Sequence, residues 1–406
     1  MKIFVLNAGS SSIKYRLFDM EDGAVLTSGL LERIGEASGR LTYTWFDGKV
    51  GREAAQEGRV ANHAEGLKLV LGIMTKLGVV HDLNELSGIG HRVVHGGEAF
   101  RKPALIDDKV VAAIRDMVPL APLHNPANLA GIEVSRKLCP SVPQVAVFDT
   151  AFHQTMPPHA YHYALPRSYY QELRVRRYGF HGISHGYVAR EAARYLAKSP
   201  EACNLITFHL GNGASMSAIK EGKCVDTSMG MTPLEGLVMG TRSGDIDPAI
   251  PFYLARSTGK PFEDIEKVLN NESGLKGICG VNDMREIECR AGSGDSAAQL
   301  AIDLFSYRIR KYIGAYYAVL GRLDAIVFTG GIGENSATVR EKCCIGLEGL
   351  GIVFDHTKNE SLSREPREIS ADASKVKVLV VPTNEELEIA RQTVECIKTA
   401  EGNKAY

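Results

Sequence analysis

The side chains with a claim to chemistry stand where apolar runs of this chain break. Arg92 lies inside Ile89-Gly90-His91-Arg92-Val93-Val94, a strand-like run that ends in His95-Gly96-Gly97-Glu98. A guanidinium there is costly unless it meets an anion, so it marks either an anion site or a buried structural ion pair. Asp149 follows Val145-Ala146-Val147-Phe148. An acid at the carboxyl end of a buried strand is where α/β folds place chemistry, and a simple aspartate turn is the other reading. His181 stands among small residues in Gly179-Phe180-His181-Gly182, ahead of a helical pattern, as a structural or a catalytic imidazole. Arg242 belongs to Met239-Gly240-Thr241-Arg242-Ser243-Gly244-Asp245, a glycine-interrupted loop that also holds Asp247.

Three turns suit the close approach of a ligand. In Asn7-Ala8-Gly9-Ser10-Ser11-Ser12-Ile13-Lys14 the small residues let backbone N–H groups reach an anion, and the hydroxyls and Lys14 add donors. This is a phosphate-gripping hairpin or an ordinary Gly/Ser turn. His209-Leu210-Gly211-Asn212-Gly213 closes a second apolar run. Thr329-Gly330-Gly331-Ile332-Gly333-Glu334-Asn335 joins a strand pattern to a helix start, a natural place for a nucleotide. It is neither Gly-x-Gly-x-x-Gly nor Gly-x-x-x-x-Gly-Lys-Ser/Thr, so the Rossmann and P-loop readings lose their main support. A serine hydrolase lacks its Gly-x-Ser-x-Gly turn here.

Elements must hold these residues. Apolar or alternating runs predict strands at 3–6, 13–18, 24–31, 41–46, 89–94, 145–148, 204–210, 323–328 and 376–381. Helical patterns cover 61–77, 184–197, 248–257, 261–270, 295–320, a stretch running on from Asn335 to about 347, and the last residues to about 399. Two more helices open at Asp107-Asp108 and at Asn125-Pro126, the latter with Asn as N-cap and Pro as first helical residue. In 295–320, Ala298, Ala301, Leu304, Phe305, Ile309, Tyr312, Ile313, Tyr316 and Leu320 keep a 3.6-residue stripe, which is core or a subunit contact. Strand, Asn with small residues, alternating Ser, strand and acidic-Gly turn occur twice, at 6–23 and again at 210–222. The chain therefore reads as an internal duplication of one β-meander.

At 406 residues the chain exceeds a single core, and the segment Pro157–Arg177, rich in Pro, Tyr, His and Arg and without clear periodicity, puts a domain boundary near 150–160. A formal net charge of -1 gives no global field for nucleic acid or an anionic membrane. Eight cysteines without Cys-x-x-Cys spacing argue against a disulfide framework or a zinc site and for a reducing cytosol. No apolar run approaches bilayer length, so the expected location is cytoplasmic.

In chain order, eight stretches together resemble the acetate kinase family, within the superfamily of actin, hexokinase and the large heat-shock chaperone ATPases. They are the Asn7–Lys14 turn, Gly90-His91-Arg92-Val93-Val94-His95-Gly96-Gly97, Phe148-Asp149-Thr150-Ala151-Phe152-His153, Tyr178-Gly179-Phe180-His181-Gly182, His209-Leu210-Gly211-Asn212-Gly213, the Arg242 loop, the Gly330 turn and Pro382-Thr383-Asn384-Glu385-Glu386. The resemblance implies an α/β protein of two duplicated RNase H-like domains, an actin-like ATPase fold with its active site in the interdomain cleft. The first would be 1–150 with 384–406, and the second 151–383, carrying nucleotide binding and the contact of a homodimer.

It also implies reversible phosphoryl transfer from ATP to acetate, giving ADP and acetyl phosphate, with Mg²⁺ that Mn²⁺ can replace. Acetate ionises near pH 4–5, roughly like Asp and Glu, so the nucleophile needs no general base. By resemblance Arg92 takes acetate and shares transition-state charge with Arg242, while His181 donates to the moving phosphoryl group. Asp149 organises the metal through water, with a base role second, and Asn7 and Glu385 bind it. Ser10, Ser12, Lys14, His209, Leu210, Gly211, Asn212 and Gly213 face phosphates. Asp283, Met284, Arg285, Gly331, Ile332, Gly333, Glu334 and Asn335 face adenosine. Val94, Leu123, Phe180 and Pro233 form the methyl pocket, where Val94 matches acetate-preferring members. Met284 stands where Phe or Leu is common, and Ile183 where Thr is. The rival readings are a propionate kinase of the same family and a chaperone-like ATP-driven switch, which would need an added partner-binding domain.

Overall fold

The computed structural model describes residues 1–47, 50–122, 124–361 and 363–402. The chain divides into two compact units, Met1–Phe152 with Asn384–Tyr406, and His153–Thr383.

In the first unit the strands are β1 (Lys2–Ala8), β2 (Ile13–Asp19), β3 (Ala24–Glu32), β4 (Gly39–Asp47), β5 (Val50–Gly58), β6 (Leu86–Val93), β7 (Ala104–Leu105) and β8 (Gln144–Phe148). They form one sheet in the order β5-β4-β3-β2-β1-β6-β8-β7. The first five run as an antiparallel meander, whereas β1, β6 and β8 are parallel, with Leu6 beside His91 and Val93 beside Phe148. Buried on both faces, β1 and β8 are nearly continuous apolar runs. One face of the sheet carries Phe4, Leu6 and Tyr15 against Leu67, Val70, Leu71 and Met74 of the helix His63–Lys76. The other receives the C-terminal helix Glu385–Gly402. A Cβ at Gly90 would lie 2.4 Å from Thr393 Oγ1, so only glycine lets that helix come down onto β6.

The second unit holds β9 (Asn204–Leu210), β10 (Ala214–Lys220), β11 (Lys223–Thr227), β12 (Ala325–Thr329), β13 (Arg367–Glu368) and β14 (Lys377–Val380). Their order is β11-β10-β9-β12-β14-β13. Again a three-stranded antiparallel meander is followed by two parallel strands, with Thr329 beside His209, and by a two-residue antiparallel edge. The order matches β3-β2-β1-β6-β8-β7 strand for strand, as the repeated sequence pattern implies.

Several expectations change. β5 had no strand signal: most of its side chains are exposed, so no apolar alternation marks it. The helix Asn125–Leu138 is preceded by His124 with no side-chain cap, because Asn125 turns inward to hold the loop at His95. The stretch after Gly330 is two helices, Gly330–Asn335 and Ala337–Cys344, divided at Ser336, whose hydroxyl accepts from the Val339 N–H. Short helices Gly274–Cys279 and Met284–Gly292 were not foreseen. On the helix Ser296–Leu320 the stripe from Ala298 to Leu320 is core of its own unit, while Leu304 turns outward with Leu300 and Tyr307. No described helix is long and apolar enough to cross a membrane, and the eight cysteines are free.

Candidate active site

In the first unit the ends of three parallel strands bring Asn7, Arg92 and Asp149 together. Arg92 Nη2 donates to Asp149 Oδ2 at 2.5 Å, and Nη1 reaches Asn7 Oδ1 at 3.4 Å. Asp149 is 1% exposed. Burial works against the Arg92 charge, yet Asp149 and Glu385 raise its pKa further. Glu385 opens the C-terminal helix; burial pushes its carboxyl up, Glu386 adds to this, and Arg92 and Lys14 oppose it. The expected bidentate fork of Arg92 is therefore already half engaged by a buried carboxylate. Lys14 is not an open cation either, since its ammonium pairs with Glu386.

The loops around this cluster are fastened by amides. Asn128 accepts from the Val94 N–H at 3.1 Å and donates to the Ala8 carbonyl at 2.8 Å, tying the end of β1 to the loop after β6. Asn125 holds both the N–H and the carbonyl of His95, and Thr150 accepts from the Gly96 N–H. In the Ser10–Ser12 turn the Gly9 N–H donates to the Ser12 carbonyl at 2.8 Å, leaving Ser10 exposed and Ser12 half-buried. Val94 is buried behind this loop, and Leu123 lies outside the described residues.

The second unit gathers His181, His209 and Arg242 around Gly213. A Cβ at Gly213 would lie 3.4 Å from His181 Nε2 and 3.5 Å from Arg242 Nη1. His181 precedes the helix Gly182–Tyr195 with φ 58°, a left-handed conformation that is strained for a side-chain-bearing residue and common at functional sites. Its ring stacks on His209 at 4.3 Å. Burial lowers the Arg242 pKa, and its Nη1 meets the Pro233 carbonyl at 3.4 Å and Met239 Sδ at 3.8 Å. Among the described residues no carboxylate neutralises it. Phe180 is buried, and its carbonyl accepts from His153 at 2.9 Å.

Beside this cluster a cleft of about 560 Å³ is lined by Gly211, Asn212, Asp283, Met284, Arg285, Gly331, Ile332 and Asn335. Three separate stretches of the expected adenosine and phosphate set thus meet within one unit. Asp283 caps the helix Met284–Gly292, and its fork to Arg285 holds its carboxyl down at about 2. Glu334 turns away from the cleft to accept from the Gly330 and Thr383 N–H groups, and Gly333 packs near Phe328 and Leu210. Sequence reasoning missed Asn282, Glu288 and Ser336 in the same lining. It also missed His185 and Ser215 behind His181, although histidines four apart on one helix face were a usable signal.

Oxygen donors from Asn7, Asp149 and Glu385 suit a hard divalent cation, which keeps waters and substrate phosphates in its shell. Among the described residues no group of three His, Cys, Asp or Glu side chains forms a complete protein cage.

The family model described as the Acetokinase family matches residues 2–391. An acetate kinase of Syntrophobacter fumaroxidans is 56% identical over 402 residues, covering 98% of each chain. The crystal structure of Porphyromonas gingivalis acetate kinase superposes with a TM-score of 0.93 at 45% identity, covering 98% of this chain and 99% of that one. A propionate kinase from Francisella tularensis superposes at 0.90 with 42% identity, covering 97% of this chain and 99% of that one. The two matched sheets are accordingly the duplicated α/β architecture of the actin-like ATPases, and the chain belongs to the acetokinase family.

Proposed function

We propose that this chain transfers the γ-phosphoryl group of ATP to acetate, reversibly, giving acetyl phosphate and ADP. The observation that carries the reading is Arg242, a cation without a carboxylate partner among the described residues, converging with His181 on Gly213 next to the cleft. An acetate oxygen attacks the γ-phosphorus as the bond to the ADP oxygen breaks, and charge spreads over the three equatorial oxygens. Arg242 and His181 donate to those oxygens. Arg92 orients acetate, with Asp149 fixing the guanidinium. No proton has to leave the nucleophile, so Asp149 serves as an aligning anion before it serves as a base.

Mg²⁺, when bound, would be held by Asn7 and Glu385 and, through water, by Asp149, and would offset phosphate charge. Ser10, Ser12, Lys14 and the turn 209–213 face phosphates, and Asp283-Met284-Arg285 with Gly331–Asn335 face adenosine. Ser10, Ser12 and Lys14 belong to the unit Met1–Phe152 with Asn384–Tyr406, the rest to His153–Thr383. The outward Leu300, Leu304 and Tyr307, rather than the buried stripe, are the apolar surface for a homodimer. Free cysteines fit a reducing cytoplasm.

Trapping of acyl phosphate by hydroxylamine tests the reading. Acetate with ATP should give hydroxamate readily, propionate less and butyrate least. ATP hydrolysis without hydroxamate would instead favour the conformational-switch class. The propionate kinase neighbour keeps the second substrate open. Val94, 5% exposed, is the proposed neighbour of the acetate methyl in the first unit. One methylene there is worth about 1–3 kcal/mol. Val94→Ala should therefore raise the propionate-to-acetate ratio of kcat/KM by about tenfold. An unchanged ratio removes Val94 from the pocket.

A further inference from the structure

We propose that a buried hydrogen-bonded wire, Thr207 to His185 to Ser215 to His181, fixes the His181 proton on Nε2, making Thr207, His185 and Ser215 positioning residues for that imidazole. The inference rests on the reading of His181 as a donor to the transferred phosphoryl group.

Thr207 lies on β9 and Ser215 on the antiparallel β10, while His185 lies one helical turn after His181. Thr207 Oγ1 meets His185 Nδ1 at 2.7 Å, His185 Nε2 meets Ser215 Oγ at 2.8 Å, and Ser215 Oγ meets His181 Nδ1 at 2.9 Å. Thr207, His185 and Ser215 are all 0% exposed. Burial pushes the His185 pKa well below its ordinary value, and His153 and His209 press the same way. His185 is therefore neutral and carries one ring proton.

Each hydroxyl also carries one proton, so the direction of the wire is set at its buried end. Among the described residues the only partner of the Thr207 hydroxyl is His185 Nδ1. If His185 donated to it, the threonine proton would be left buried without an acceptor, the costlier arrangement. Thr207 instead donates to Nδ1, and His185 donates from Nε2 to Ser215. Ser215 then donates to His181 Nδ1. In its neutral form His181 then keeps its proton on Nε2, a nitrogen 3.4 Å from where a Cβ at Gly213 would lie. Run backwards, the wire would turn a bare lone pair toward phosphoryl oxygens.

The test uses the full-length protein grown with ring-¹⁵N histidine, with His181→Asn to assign the resonance, and compares Thr207→Val, Thr207→Ser and Ser215→Ala. The expected wild-type spectrum shows His181 with its proton on Nε2. Thr207→Val and Ser215→Ala should move population to Nδ1–H and lower kcat roughly 10–100-fold, with both KM values within about twofold. Thr207→Ser, which restores the hydroxyl, should recover tautomer and rate together. A wild-type Nδ1–H signal, or an unmoved tautomer in Thr207→Val, overturns the wire. A shifted tautomer with unaltered kcat overturns the role of His181 in phosphoryl transfer, and with it the catalytic part of this proposal.

Discussion

Arg242→Ala is expected to lower kcat by roughly 10³–10⁵-fold, the range for an arginine that stabilises a transferred phosphoryl group. The effect is large because the positive charge is not already used. Among the described residues the Arg242 guanidinium meets only a carbonyl at 3.4 Å and a thioether sulfur at 3.8 Å, and burial disfavours its charge. Such a cation gains most when the developing anion arrives. The same fact predicts that folding survives, since the substitution deletes a buried charge and orphans no carboxylate. The loop has other anchors: Glu235 is gripped by Arg177 and Tyr163, and Asp245 by Tyr312 and the Gly236 N–H. Arg242→Lys should fall between alanine and wild type, keeping charge while losing the planar fork. Initial rates in both directions, with the thermal midpoint of each variant, check this. A loss under tenfold would remove Arg242 from the transition state.

Much of this was legible because breaks in pattern mark chemistry. The Asn7–Ser12 turn interrupts an apolar run, and its repetition at 211–217 foretold two sheets of one strand order. The pairing of charges was not legible. Arg92 and Asp149 are 57 residues apart and meet only because β6 and β8 are parallel neighbours in register. Asn125 looked like a helix cap because capping is a local rule, yet a loop 30 residues away claims its side chain. Lys14 looked like an open phosphate donor until the returning C-terminal segment brought Glu386 to it. Composition and period report what an element is. They do not report which element lies beside it, and the partner decides whether a charge is spent or available.

Arg92→Ala should therefore behave unlike Arg242→Ala, costing stability as well as activity. Its removal leaves Asp149, 1% exposed, without its guanidinium. Breaking a buried pair in this way costs about 3–5 kcal/mol. For a unit of this size that lowers the thermal midpoint by roughly 6–20 °C. The loss should depend on pH through Glu385, whose carboxyl burial already raises and Arg92 holds back. Without Arg92 the folded-state pKa rises further above the unfolded value of about 4.3. Between those two values the folded state binds more protons than the unfolded one, so stability falls as pH rises. The variant should be closest to wild type near pH 4–5 and furthest from it at neutral pH. Activity gives the second half: losing a charged hydrogen bond to acetate should cut kcat/KM for acetate by at least about 10–10²-fold. Adding Asp149→Asn separates the two effects, because it removes the buried carboxylate charge that Arg92 had offset and should return much of the midpoint while acetate use stays low. Thermal melts from pH 4 to 8 on the single and double variants, with acetate saturation curves, decide it. If Arg92→Ala melts like wild type at neutral pH, the Arg92–Asp149 pair is not the clamp that holds this end of the sheet.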